Sequence, residues 1–193
     1  MPRPRTVPDE LLLDAALDIV HRDGPASLSF GALAASVGLA GSTLVQRFGS
    51  KDELLRATLV RAWDRLDTTT AAAIAAAARG ANGVVELFVA LTASHDEDDY
   101  AEQLPVLRED LRDPILRDRG SEWLASLADA VDARLDGAPP GTGWLVVAHW
   151  QGTLTIWAFT RSGRLHDAVR DALSQLLGRI GVASQDSPST AGG

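Results

Sequence analysis

The chain has 193 residues, of which 46% are hydrophobic and 23% charged, with a formal net charge of −8. That length supplies one large or two small domains with a sizeable core, and the lack of cysteine excludes disulfides and thiolate metal sites. No apolar run of about 18 residues occurs, so no transmembrane helix is expected; the opening MPRPRTVPDE lacks the apolar core of a signal peptide, and the expected compartment is the cytoplasm.

The charge is uneven. Residues 1–60 hold six Lys/Arg against seven Asp/Glu, and residues 61–193 hold 12 against 19. The acid therefore lies mostly in the larger C-terminal part. For any polyanionic partner, local charge at the contacting face counts for more than this total.

Residues 8–22 carry Leu12, Ala15, Ala16, Ile19 and Val20 at helical spacing. Pro8 suits a first turn, and Asp9 and Glu10 suit its positive end. Gly24-Pro25 ends the helix. Ser29 is a good N-cap for a second helix, with Phe30, Leu33, Ala34 and Val37 facing inward. Gly38 provides a turn. A third helix spans roughly Gly41 to Arg47, anchored by Leu44 and Phe48. Ser50-Lys51-Asp52-Glu53 is a capping box opening a fourth. Two short helices joined by a tight turn hold a small helix on the surface of a three-helix unit. A helix so held fits the DNA major groove.

On the fourth helix Leu54, Leu55, Thr58, Leu59, Ala62, Trp63 and Leu66 make one apolar face. It either frays at Thr68-Thr69-Thr70 or continues through the alanines to Ala78, with Gly80 and Gly83 as breaks. A fifth helix fits residues 82–94, with Phe88 and Leu91 inside. HDEDDY, residues 95–100, is a polar break. Helices near 100–111 and 114–136 follow, separated by Asp113-Pro114, and GAPPGTG, residues 137–143, is a loop.

Residues 143–161 carry two apolar stripes. Leu145, Ala148, Gly152, Ile156 and Phe159 form one; Val147, Trp150, Leu154 and Trp157 form the other. A helix with two apolar faces needs two partners. Residues 164–180 present Leu165, Ala168, Val169, Ala172, Leu173, Leu176 and Ile180 on one wide face. A second copy of the chain would supply the missing surface. ASQDSPSTAGG at the end reads as disordered. No strand pattern interrupts the helices, so the fold class is all-α.

The runs LLLDAALDIV and SFGALAASVGLAGSTLVQRFGSKDELL resemble the TetR-type one-component transcriptional regulators over about residues 6–60. Cap, turn, anchor and second cap occur in order without gaps. WQGTLTIWAFTRSGRLHDAV is similar to the last two helices of that family, which commonly pair with their dimer mates in a four-helix bundle. The resemblance implies about nine helices: a helix-turn-helix DNA-binding domain at 5–65 (motif 29–48), a ligand-binding and dimerisation domain at 66–183, and a disordered tail at 184–193. It implies a homodimer on a double-stranded DNA operator and a small-molecule effector that lowers operator affinity, usually giving repression. The sequence itself shows no catalytic motif and no phosphate-binding glycine loop, so no catalysis, cofactor or metal is expected.

The chain departs from the family at Ala40-Gly41-Ser42, where Ser followed by Lys-Gly is usual. Ala40 is a poor cap, and replacing a Ser cap by Ala costs about 1 kcal/mol. The usual Lys phosphate contact is missing at Gly41, and the usual Tyr is Val45, which can instead touch a thymine methyl. Gln46 can read adenine and Arg47 guanine, or both are a solvated pair. Thr43 reaches a phosphate or packs locally; Ser42 contacts DNA or serves as a displaced cap. Lys51 puts a cation at a helix N-terminus, which the helix dipole disfavours and a phosphate would offset. Ser29 caps the second helix, with or without its N–H groups facing phosphate. Arg3 and Arg5 form either a minor-groove arm or a plain tail.

Five tryptophans occur, Trp63, Trp123, Trp144, Trp150 and Trp157. Trp63, Trp123 and Trp150 with Phe88, His95, Tyr100 and His149 are candidates for an aromatic ligand pocket, against a plain core role. Trp157, Phe159, Val169, Leu173 and Leu176 are candidates for the dimer interface. His95 with Asp96, Glu97, Asp98 and Asp99 reads as a solvated loop rather than a metal site. The expected function is a ligand-responsive, sequence-specific DNA-binding regulator, a repressor released by a small hydrophobic or aromatic effector. The alternative is a helical ligand-binding module or adaptor that no longer binds a specific operator.

Overall fold

The computed structural model describes residues 7–92 and 99–181, with the backbone alone for 99–102. Arg3, Arg5, the ligand candidates His95 and Tyr100 and the tail 184–193 therefore lie outside what it describes. Among the described residues the chain forms α1 (Asp9–Asp23), a 3-10 turn (Pro25–Ser27), α2 (Phe30–Val37), α3 (Gly41–Phe48), α4 (Lys51–Ala76), α5 (Gly80–Thr92), α6 (Asp99–Arg112), α7 (Pro114–Asp132), α8 (Thr142–Thr160) and α9 (Leu165–Arg179). These described residues are all-α, with nine helices.

Short-range chemistry sets most helix ends. The Ser29 hydroxyl accepts the Ala32 N–H at 3.1 Å, which starts α2. Gly38 ends α2 in the left-handed region, at φ 68°, with its N–H on the Ala34 carbonyl. At the start of α4, Ser50 N–H and hydroxyl both donate to Glu53 Oε2 at 2.8 Å, and Glu53 N–H returns to Ser50 Oγ at 3.2 Å. Those bonds hold the Glu53 carboxyl below its ordinary range. α4 runs on through the three threonines and stops at Ala76. Gly83 is not a break: it lies inside α5, where an added Cβ would collide with the backbone carbonyl of Ala78. The glycine is needed for a close approach.

The chain divides into two compact units. The first joins Met1–Thr68 to Asp99–Ser121. Its core gathers Leu12, Ala16, Ile19, Val20, Leu28, Leu33, Leu44, Leu54, Leu59 and Leu116. The division expected at residue 65 is therefore not a single cut, because α6 and the start of α7 pack with the N-terminal helices. Polar pairs fix them there. Arg56 meets Asp113 at 2.5 Å, and Arg119 bridges Asp64 at 2.8 Å and Asp67 at 2.7 Å. Trp63 donates its indole N–H to Asp110 at 3.2 Å. On the N-terminal side Asp14 of α1 meets Arg61 and Arg65 of α4, and the Arg61 hydrogen bond holds its carboxyl below the usual range.

Burial pushes Asp110 up to about 6; the Trp63 hydrogen bond opposes the shift and Glu109 adds to it. The folded state then binds more protons than the unfolded state between the ordinary carboxylate value and about 6. Stability must fall as pH rises through that window. Asp110→Asn keeps an acceptor for Trp63 and removes the charge. Its expected result is a higher midpoint of thermal unfolding than wild type at pH 7.5, with the gap closing near pH 4.

The second unit joins Thr69–Asp98 to Glu122–Gly193. In it α9 packs against both α5 and α8. Leu165, Val169, Leu173 and Leu177 form the buried ridge of α9, and Val147, Trp150, Leu154 and Trp157 the buried stripe of α8. α8 begins where Asp132 Oδ1 accepts the Gly143 N–H at 2.7 Å. An added Cβ at Gly143 would overlap the Ala128 backbone.

Two dimer-interface candidates need correcting. Val169 and Leu173 are fully buried. Helical spacing puts them on the ridge facing the unit's own core, so they have no surface to give a partner. Trp157, with its N–H on the Gly163 carbonyl at 3.1 Å, lines the groove between α8 and α9. The second stripe of α8 stays open, with Leu145 47%, Ile156 65% and Phe159 88% exposed.

Candidate nucleic-acid interface

The site is built on α3. Leu44 is fully buried in the first unit's core and fixes the helix by one side. The opposite side then presents Ser42, Val45 and Gln46, all exposed, at positions i, i+3 and i+4. Thr43 and Gly41 are half-buried. Ala40 makes no side-chain cap to α3, as its chemistry requires. Gly49 ends the helix at φ 74°, a value that favours glycine.

The cations divide sharply. Arg47 is not displayed: its Nη1 donates to the Val7 carbonyl at 2.6 Å and to Asp9 Oδ1 at 3.0 Å, and its side chain is 21% exposed. Lys51 Nζ donates to the neutral Ala26 carbonyl at 3.0 Å, and the residue is exposed beside the first turn of α4. Ser29 spends its hydroxyl on the α2 cap. Of the eight sequence-derived positions, Ser42, Val45, Gln46 and Lys51 are thus exposed together around α3 and its exit. The Arg47–Asp9 tie was not foreseen, because the partners are 38 residues apart.

The described ligand candidates divide between the two units. Trp63 belongs to the first unit. In the second, Phe88, Trp123 and Trp150 form one cluster, with centroids 5.1 Å apart for Phe88–Trp150 and 6.2 Å for Trp123–Trp150. Trp123 donates to Thr70 at 2.9 Å and Trp150 to Thr92 at 3.0 Å. His149 instead lines an open groove of about 430 Å³ between α8 and α9, with Ile156, Ala168, Ala172 and Leu176. No group of three or more His, Cys, Asp or Glu among the described residues could hold a metal, and no helix there is long and apolar enough to cross a membrane.

A capped helix, a glycine turn and a surface helix held by one leucine define a helix-turn-helix DNA-binding protein. Residues 12–58 match the family model for bacterial regulatory proteins, tetR family. That stretch holds α2, α3 and the turn between them, so the chain carries a DNA-binding domain of the tetR type. Solved structures share the whole fold. A member of the TetR family from Streptomyces coelicolor A3 is 23% identical, with 88% of this chain and 98% of that one covered and a TM-score of 0.65. A transcriptional regulator from Rhodococcus sp. Rha1 is 19% identical, with 90% and 97% covered and a TM-score of 0.69. The multidrug binding protein EbrR complexed with malachite green is 24% identical, with 91% and 98% covered and a TM-score of 0.63. A comparison with curated proteins finds no match.

Proposed function

We propose that the chain acts as a homodimeric repressor that a small aromatic or hydrophobic effector releases from its operator. The observation that carries the dimer is the open stripe of α8. Phe159 at 88% and Ile156 at 65% exposure are costly to leave in water. The groove beside them, lined by Ala168, Ala172 and Leu176 of α9, is apolar and shallow enough to receive the same stripe from a second copy. A two-fold dimer would present two α3 helices to a roughly palindromic site. Of the five dimer-interface candidates, Trp157, Phe159 and Leu176 lie on or beside this face.

The effector reading rests on chemistry and on likeness. Phe88, Trp123 and Trp150 form a buried aromatic cluster in the second unit, with the Thr70 and Thr92 hydroxyls bonded to the two indoles. EbrR, a structural neighbour, is complexed with malachite green in one structure and with proflavin in another. Planar aromatic compounds are therefore the first effectors to try. The test adds proflavin or malachite green to the protein–operator complex and follows tryptophan fluorescence and DNA anisotropy together. Quenching with at least a roughly tenfold loss of operator affinity is expected, since typical couplings span about 5- to 150-fold. A DNA affinity unmoved by a panel of such compounds would remove the effector claim.

A further inference from the structure

An arginine on a recognition helix would ordinarily be taken as the guanine reader, since its two N–H groups match guanine O6 and N7. The geometry here points elsewhere. The Arg47 guanidinium is turned inward, bonded to the Val7 carbonyl and to Asp9, and largely covered. Reaching a base edge would break both bonds and leave Asp9 without its ion pair. What α3 does display is uncharged. Val45 is 45% exposed, and Gln46 follows it on the open face with Ser42 one turn earlier.

Resting on the operator reading above, we infer that α3 specifies A·T pairs through Gln46 and Val45, with Arg47 as a positioning residue that braces α3 against the start of α1. Gln46 can pair bidentately with adenine N6 and N7, and the Val45 isopropyl group suits a thymine methyl. Arg47 ties α3 to the start of α1. It fixes the height and tilt of the reading face and carries no base information.

The experiment is selection of half-sites from a random-sequence duplex library by the full chain, followed by affinity measurements on single-base variants. Wild type is expected to select an A·T-containing half-site. Gln46→Ala should lose about 5- to 150-fold of discrimination at one A·T position. Replacing thymine by deoxyuridine, which lacks the methyl, should weaken wild type and leave Val45→Ala unaffected. Arg47→Ala should bind every sequence more weakly and keep the same base preferences. Arg47→Met, which retains the aliphatic stem, gives the same readout if Arg47→Ala does not fold. Loss of preference at a G·C position in either Arg47 variant would overturn the inference while leaving the regulator reading intact. Failure of wild type to select any sequence would overturn both.

Discussion

Replacing Gly143 by valine is expected to destabilise the second unit severely. A Cβ at this position would overlap the carbonyl oxygen, carbon and Cα of Ala128, which are backbone atoms and cannot rotate away. α8 would have to lift from α7, and the Gly143 N–H would lose its bond to Asp132. Overpacking of this kind costs about 1–3 kcal/mol and more when backbone must move. The Asp132 bond, charge-assisted, adds roughly 1.5–3 kcal/mol. Urea unfolding should show a loss of at least about 3 kcal/mol, a large part of a typical domain's stability. Gly178→Ala in α9, where nothing lies within 4 Å of the added atom, is the matched control. It should be neutral or stabilising by up to about 1 kcal/mol. Equal effects at the two glycines would contradict the packing account.

The second large effect concerns the open stripe of α8. Ile156→Asp combined with Phe159→Asp places two carboxylates where the proposed dimer has its apolar centre. Both side chains are exposed in the single chain, so its fold loses nothing. Circular dichroism should be unchanged. Sedimentation should show a monomer at concentrations where wild type is a dimer. Operator affinity should drop by at least about a hundredfold, because two linked recognition helices gain an effective concentration that separate ones lack. A double variant that still sediments as a dimer would place the interface elsewhere.

The N-terminal part of the fold is legible in the sequence because its signals act over three or four residues. Ser29, Gly38 and the Ser50–Glu53 pair each satisfy backbone groups of their own helix ends. What the sequence does not show is set by distance. Arg47 and Asp9, Trp63 and Asp110, and Arg119 with Asp64 and Asp67 are all partners far apart in the chain. Those pairs decide which cation stays exposed near α3 and to which unit α6 belongs. Gly83 and Gly143 look like loop glycines and are contact glycines, since only the neighbouring Ala78 and Ala128 backbones reveal the need. The placing of the ligand candidates was hidden for a related reason. His149 and Trp150 are adjacent, yet about 100° of helical rotation sends one to the outer groove and the other to the core.

Acidic composition is reconciled with DNA binding by where the charges are spent. Arg56, Arg61 and Arg65 are tied to carboxylates, as is Arg47. Lys51 instead sits beside α3 with a neutral partner. Among the described residues few cations remain near α3 to displace counterions, so the proposed operator binding draws on base contacts more than on phosphates.

The most direct measurement is an anisotropy titration of the full chain with its selected duplex and with an unrelated duplex, each at 50 mM and 200 mM salt. The expected result is at least about a thousandfold preference for the selected duplex, with a salt dependence shallower than the roughly 10³- to 10⁵-fold loss of a protein making 6–10 phosphate contacts. Equal affinity for both duplexes at both salt concentrations would contradict sequence-specific regulation and leave a helical ligand-binding adaptor in its place.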